Sequence, residues 1–188
     1  MDIKYNYLIN GKTVLLYGVF HENGELFIFV IEGADCFLVA MSPVNLIDKS
    51  LISYGSDFKG ALSSSRKLLG ENKKMYPIKI DGSLDIWLFP TRSYKKHNCV
   101  WFALNHVKNT KSLGIKDTKV FLSYGHEINI KMRESSFRNK RNLTSDLRGM
   151  IDHNRQQSLG FITEPERGFR IVEEKGEYEC KSNRKKDK

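Results

Sequence analysis

Two Asn-Gly dipeptides, at 10–11 and 23–24, punctuate the first forty residues and constrain the fold more than any other feature of the chain. Each separates apolar, β-branched runs of strand length, and Asn-Gly accepts the positive φ that a type I′ hairpin requires at both central positions. The expectation is a β meander that runs from Ile3 to Ile9, then Thr13 to Phe20, then Leu26 to Ile31, with a further apolar strand from Cys36 to Met41.

Ser42-Pro43 then changes the pattern, because Ser is a good N-cap and Pro fits the first helical position. Val44, Ile47, Leu51 and Tyr54 follow at helical spacing up to Gly55, and a second helical piece fits Asp57 to Leu69, closed by Gly70. Two short helices about Tyr54-Gly55-Ser56 allow a helix-turn-helix, although such pairs more often serve as packing units. The β signal returns at Ile78 to Ile80, Ile86 to Phe89, Val100 to Val107, Lys119 to Tyr124 and Glu127 to Met132. A last helix is expected from Ser135-Ser136 to about Arg155, with Phe137, Leu143, Leu147 and Ile151 as its apolar stripe.

The fold expected is therefore α+β and β-rich: a single domain of antiparallel strands over residues 1–158, with a helical insert and a late C-terminal helix. Residues 159–188 are expected as a mobile charged tail, since they mix acids with few large apolar residues and end in Lys181-Ser182-Asn183-Arg184-Lys185-Lys186-Asp187-Lys188.

Charge narrows the function. Residues 1–48 carry 2 basic and 6 acidic side chains, whereas residues 49–159 carry 21 and 9, a net +12 that suits polyanion capture. No run approaches the roughly 20 apolar residues of a membrane span, and the start, Met1-Asp2-Ile3-Lys4, lacks a secretory pattern, so the cytoplasm is the expected compartment. Cys36, Cys99 and Cys180 form no CxxC pair, and His21, His97, His106, His126 and His153 are not spaced as metal ligands. GxxxxGK[ST], GxGxxG, GxSxG and HExxH motifs are missing as well, so neither catalysis nor a cofactor or metal is expected.

The candidate functional residues are basic. Arg66-Lys67 with Lys73-Lys74, Arg92 with Lys95-Lys96, and Arg138 with Lys140 and Arg141 have few acids nearby, Arg148 follows on the last helix, and residues 92–111 hold five basic side chains and no acidic one. Lysines would act as point charges on phosphates, whereas arginines could also enter a narrow A/T-rich minor groove. Phe89, Trp101 and Phe137 are assigned to the core.

Val44 to Gly60 (VNLIDKSLISYGSDFKG), Pro77 to Ile80, the segment Leu88 to Thr91 (LFPT), Cys99-x-Trp101 leading to Asn105-His106-Val107-Lys108, Ser136-Phe137 and Ile151-Asp152-His153 occur in an order that resembles the bacterial competence transcription factor family, ComK and its relatives. The resemblance covers roughly residues 41–155. It implies a DNA-binding activator of DNA-uptake genes, acting as a dimer or a pair of dimers on A/T-rich boxes with minor-groove contact. The family's basic pair directly after the second Gly is displaced here, since Gly60 is followed by Ala61-Leu62-Ser63-Ser64-Ser65 before Arg66-Lys67. The family's docking motif for a proteolytic adaptor is only echoed by Phe161 to Glu166, where Glu166 inverts the final charge.

Two alternatives remain open at this level. One is a protein-interaction module or decoy family member lacking DNA affinity. The other is an RNA-binding β domain using Tyr5, Tyr7, Phe27 and Phe29.

Overall fold

The computed structural model describes residues 1–159, 169–174 and 177–182. The chain divides into two compact units, Met1–Met150 and Ile151–Lys188. In chain order the elements are β1 (Ile3–Lys4), β2 (Thr13–Phe20), β3 (Leu26–Glu32), β4 (Asp35–Val39), α1 (Pro43–Ser53), α2 (Phe58–Leu69), β5 (Ile78–Asp81), β6 (Ile86–Pro90) and β7 (Val100–Ala103). They continue with β8 (Val107–Ser112), β9 (Thr118–Leu122), β10 (Glu127–Ile130), α3 (Glu134–Leu159), β11 (Phe169–Glu174) and β12 (Glu177–Ser182). The expected α+β class, antiparallel sheets, helical insert and late helix are all present.

The main sheet has the order β1-β4-β3-β2-β7-β6-β5, and β10-β9-β8 form a smaller antiparallel sheet. One pairing departs from the expected meander. β1 is only two residues long and lies parallel to β4, Ile3 opposite Leu38, instead of forming a hairpin with β2. The backbone after it is satisfied by side chains instead of a ladder: Ile9 N–H donates to Ser50 Oγ at 3.0 Å, and the Tyr54 hydroxyl donates to the Ile9 carbonyl at 3.0 Å. The second Asn-Gly does join β2 to β3, but with a different turn. Only Gly24 takes a positive φ, 80°, while His21 N–H donates to the Glu25 carbonyl, so the connection is a three-residue loop and not type I′.

The helical insert forms for the reasons its sequence suggests. Ser42 caps α1 ahead of Pro43, Asp57 Oδ1 accepts the Gly60 N–H at 2.8 Å to cap α2, and Gly70 ends it with φ 84°. Asp48 Oδ1 accepts the Phe58 N–H at 2.8 Å, tying the two helices together. Leu46, Ile47 and Leu51 of α1 and Ala61 and Leu62 of α2 bury against one face of the main sheet with Leu16, Ile28, Leu88 and Trp101. This pair is a packing unit.

The opposite face of the sheet carries Phe89 and Phe102, and α3 docks there through Phe137. A strand expected from Val100 to Val107 breaks at a 3-10 turn over Leu104–His106, which sends β7 into the main sheet and β8 into the smaller one. In the second unit β11 and β12 pair antiparallel within the segment expected as a tail, Phe169 opposite Ser182. The remainder of that expectation, 160–168, 175–176 and 183–188, with the adaptor-motif echo at Phe161 to Glu166, lies outside the described residues.

Candidate nucleic-acid interface

Helix α3 is the element around which the candidate residues gather. Its inward positions, 137, 140, 144 and 147, recur at i, i+3, i+7 and i+10 and so share one side of the helix. Phe137 is fully buried, with ring centroids 5.4 Å from Phe89 and 5.1 Å from Phe102, and Leu147 is fully buried as well. Thr144 is also buried, and its hydroxyl donates to the Lys140 carbonyl at 2.7 Å, so no polar atom is orphaned there. Leu143, expected in the apolar stripe, is only half-buried and lines a cleft.

Lys140 occupies the remaining inward position. Its Nζ lies 3.5 Å from Met75 Sδ, and burial holds its ammonium below the ordinary lysine value, against a smaller opposing pull from the nearby Cys99 thiol. Burial in turn pushes the Cys99 thiol up, while its Sγ donates to the Arg92 carbonyl at 3.2 Å. A thioether is a weak acceptor, and no carboxylate pairs with Lys140 among the described residues. The ammonium is partly desolvated, and no ion pair offsets that cost among the described residues.

Two clefts flank α3. On one side Lys140, Asn139, Asn142 and Leu143 face Asn72, Lys73, Lys74 and Met75 from the turn after α2, with Asp146 also on the wall. Tyr76 links this turn to α2, because its hydroxyl accepts the Lys73 N–H at 3.1 Å while the Arg66 guanidinium sits 5.7 Å from its ring centroid. On the other side Arg141, Ser145 and Arg148 face Leu104, Asn105, Val107 and Lys108.

The nominated residues are thus not equivalent. Lys73, Lys74 and Lys140 share one cleft, with Arg66 joined to it through Tyr76; Arg141 and Arg148 share the other. Arg138 is held by Glu134 at 2.7 Å, and both meet the Thr110 hydroxyl. The Thr110 hydroxyl, and then Arg138, keep the Glu134 carboxyl below its ordinary range against opposing desolvation. Arg148 pairs with Asp85 at 2.9 Å, and Asp85, at φ 56°, also accepts from the Trp87 indole and the Asn105 amide. Lys67, Lys95 and Lys96 are exposed, and Arg92 is half-exposed at the start of the Arg92 to Cys99 loop.

Lys108, Lys111 and the amides Asn72, Asn139 and Asn142 were not singled out from the sequence. The acid-free run 92–111 already contained Lys108 and Lys111, whereas nothing in the sequence marks the amides. The aromatic alternation at 5, 7, 27 and 29 makes no exposed platform, since Tyr7 and Phe27 are buried and Phe29 stacks on Tyr17 at 5.0 Å.

Fold and site together define a basic α+β protein that presents one helix between two cation-lined clefts. The comparisons with known proteins give this class its family. The family model described as ComK protein matches residues 4–156, so the chain belongs to the ComK family. A relative from Bacillus subtilis (strain 168), called competence transcription factor, is 31% identical over 166 residues, covering 85% of this chain and 84% of its own. No solved structure matches. Among the described residues no helix is long and apolar enough to cross a membrane.

Proposed function

We propose that this protein binds A/T-rich double-stranded DNA along α3 and activates transcription of DNA-uptake genes from the cytoplasm, as a dimer or a pair of dimers. Family membership supports the regulatory role. The observation that carries the DNA reading is Lys140, a half-buried ammonium with no acidic partner among the described residues, in a cleft shared with Lys73 and Lys74. A phosphate entering that cleft would supply the missing counter-charge. Arg141 and Lys108 in the second cleft would meet the neighbouring backbone, leaving the exposed edge of α3 toward the groove. Neither role asks for a catalytic group or a cofactor.

The test is selection of bound duplexes from a random pool, followed by titration of the winner against a G/C-rich duplex over a range of salt. Enrichment of paired A/T motifs, with a steep negative slope of log K against log salt, is expected. A protein that retains no duplex would instead be an interaction module or a decoy member of the family.

A further inference from the structure

The β8–β9 hairpin runs beside α3 and extends past its N-terminus. Leu104 and Val107 lie beside Arg141 and Arg148, and Thr110 bonds Glu134 and Arg138, so the strand follows the helix toward its start. Leu113 is three residues beyond Thr110, about 10 Å further at the rise of a strand. There the chain turns through Leu113-Gly114-Ile115-Lys116, all exposed, with Leu113 at 47% and Ile115 at 78% exposure.

This tip is built and not frayed. Leu113 N–H donates to the Asp117 carbonyl at 2.9 Å, the Ser112 hydroxyl donates to the Gly114 carbonyl at 2.7 Å, and Gly114 takes φ 140°, open to glycine alone at little cost. Lys111 and Lys116 are exposed on either side of it, and the nearest acids are accounted for except one: Glu127 is paired with Lys119, Glu134 with Arg138, and Asp117 is exposed. Two exposed branched apolar side chains on a hydrogen-bonded turn, flanked by Lys111 and Lys116, have no role in the core of this fold.

We propose that Leu113 and Ile115 form an apolar wedge that enters between base pairs of the duplex lying along α3, while Lys111 and Lys116 hold the adjacent phosphates. The proposal rests on the DNA-binding reading above. Its physical basis is charge complementarity combined with shape: lysines bring the tip to the backbone, and small branched apolar side chains at a groove floor partly unstack a base step. The rigid turn keeps the ordering cost of insertion low.

The experiment compares the full-length chain with the Leu113→Ser/Ile115→Ser variant on short A/T-rich duplexes carrying 2-aminopurine at successive steps. A second duplex set contains one mismatch, which lowers the cost of unstacking in advance. The unaltered protein is expected to raise 2-aminopurine emission at one step and to prefer the mismatched duplex on the order of tenfold. The variant should keep the unaltered salt slope and lose both the emission change and the preference. Because both side chains are exposed, its melting temperature should not move.

If the variant still brightens the probe as the unaltered protein does, the wedge is refuted while DNA binding stands. A protein that binds none of these duplexes refutes both readings. Vesicles of phosphatidylglycerol and phosphatidylcholine provide the last arm. Sedimentation with them that depends on Leu113 and Ile115, together with an unchanged 2-aminopurine signal, would assign the tip to a lipid surface and overturn the proposal.

Discussion

Replacing Lys140 by Met separates the electrostatic role of the α3 cleft from its packing. Met keeps an unbranched apolar stem of similar length, so contacts along the helix survive and the charge alone is lost. Each phosphate neutralised contributes a slope of about −0.9 to log K against log salt, which is about a 3.5-fold affinity change between 50 and 200 mM. Losing one such contact should therefore flatten the slope by about 0.9 and weaken all duplex sequences alike. Stability should move the other way. The folded-state value of Lys140 is depressed by burial, so the native state disfavours the charged form at neutral pH. That penalty is present below the depressed folded value and disappears as pH rises from it toward the unfolded value of about 10.4. The Met variant should thus unfold at equal or higher urea than the unaltered protein at pH 7, and the gap should close or reverse toward alkaline pH. Fluorescence anisotropy at several salt concentrations and urea titrations at two pH values provide the readouts. An unchanged salt slope would show that Lys140 meets no phosphate, and a clear loss of stability at pH 7 would show that the ammonium has a partner inside the fold.

Phe137→Ala should cost about 3–5 kcal/mol, a large share of a typical domain's ~5–15, because the ring is fully buried between Phe89 and Phe102; a loss under about 1 kcal/mol in urea unfolding would show that α3 is held elsewhere. Gly18→Ala places a Cβ 2.7 Å from the His97 carbonyl oxygen, so it should lower the melting temperature by an amount equivalent to about 1–3 kcal/mol and displace the loop that carries Lys95 and Lys96. Arg141→Lys should lower the ratio of affinities for an A/T box and a G/C-rich duplex if the guanidinium enters a narrow groove, whereas an unchanged ratio would make it a phosphate contact. Glu134→Gln should release Arg138 and steepen the salt slope, and a slope identical to that of the unaltered protein would count against Arg138 as a latent contact.

The local signals in this chain were strong where one residue type performs one backbone task. Ser42-Pro43, Asp57 and Gly70 bound the two helices of the insert because caps and positive φ depend on neighbours in sequence. The apolar runs gave β2 to β7 their places, and the ordered motifs of the central segments carried the family resemblance that the comparisons bear out. Asn10-Gly11 misled because its segment is held from a distance, by Ser50 and Tyr54 of α1, and a turn signal cannot report a helix forty residues away.

The sequence by itself determined the α+β class, the ends of the two insert helices, the sign of the central charge and the family. Tertiary structure decided which charges are available. Arg138 and Arg148 look like Arg141 in sequence, yet Glu134 and Asp85 hold the first two. Lys140 looks like any helix lysine until Phe137 docks that face of α3 on Phe89 and Phe102 and leaves the ammonium half-buried beside Met75. The reason is physical: side-chain identity is local, but desolvation and ion pairing depend on what the fold brings within a few ångströms, and that is set by contacts between elements far apart in the chain.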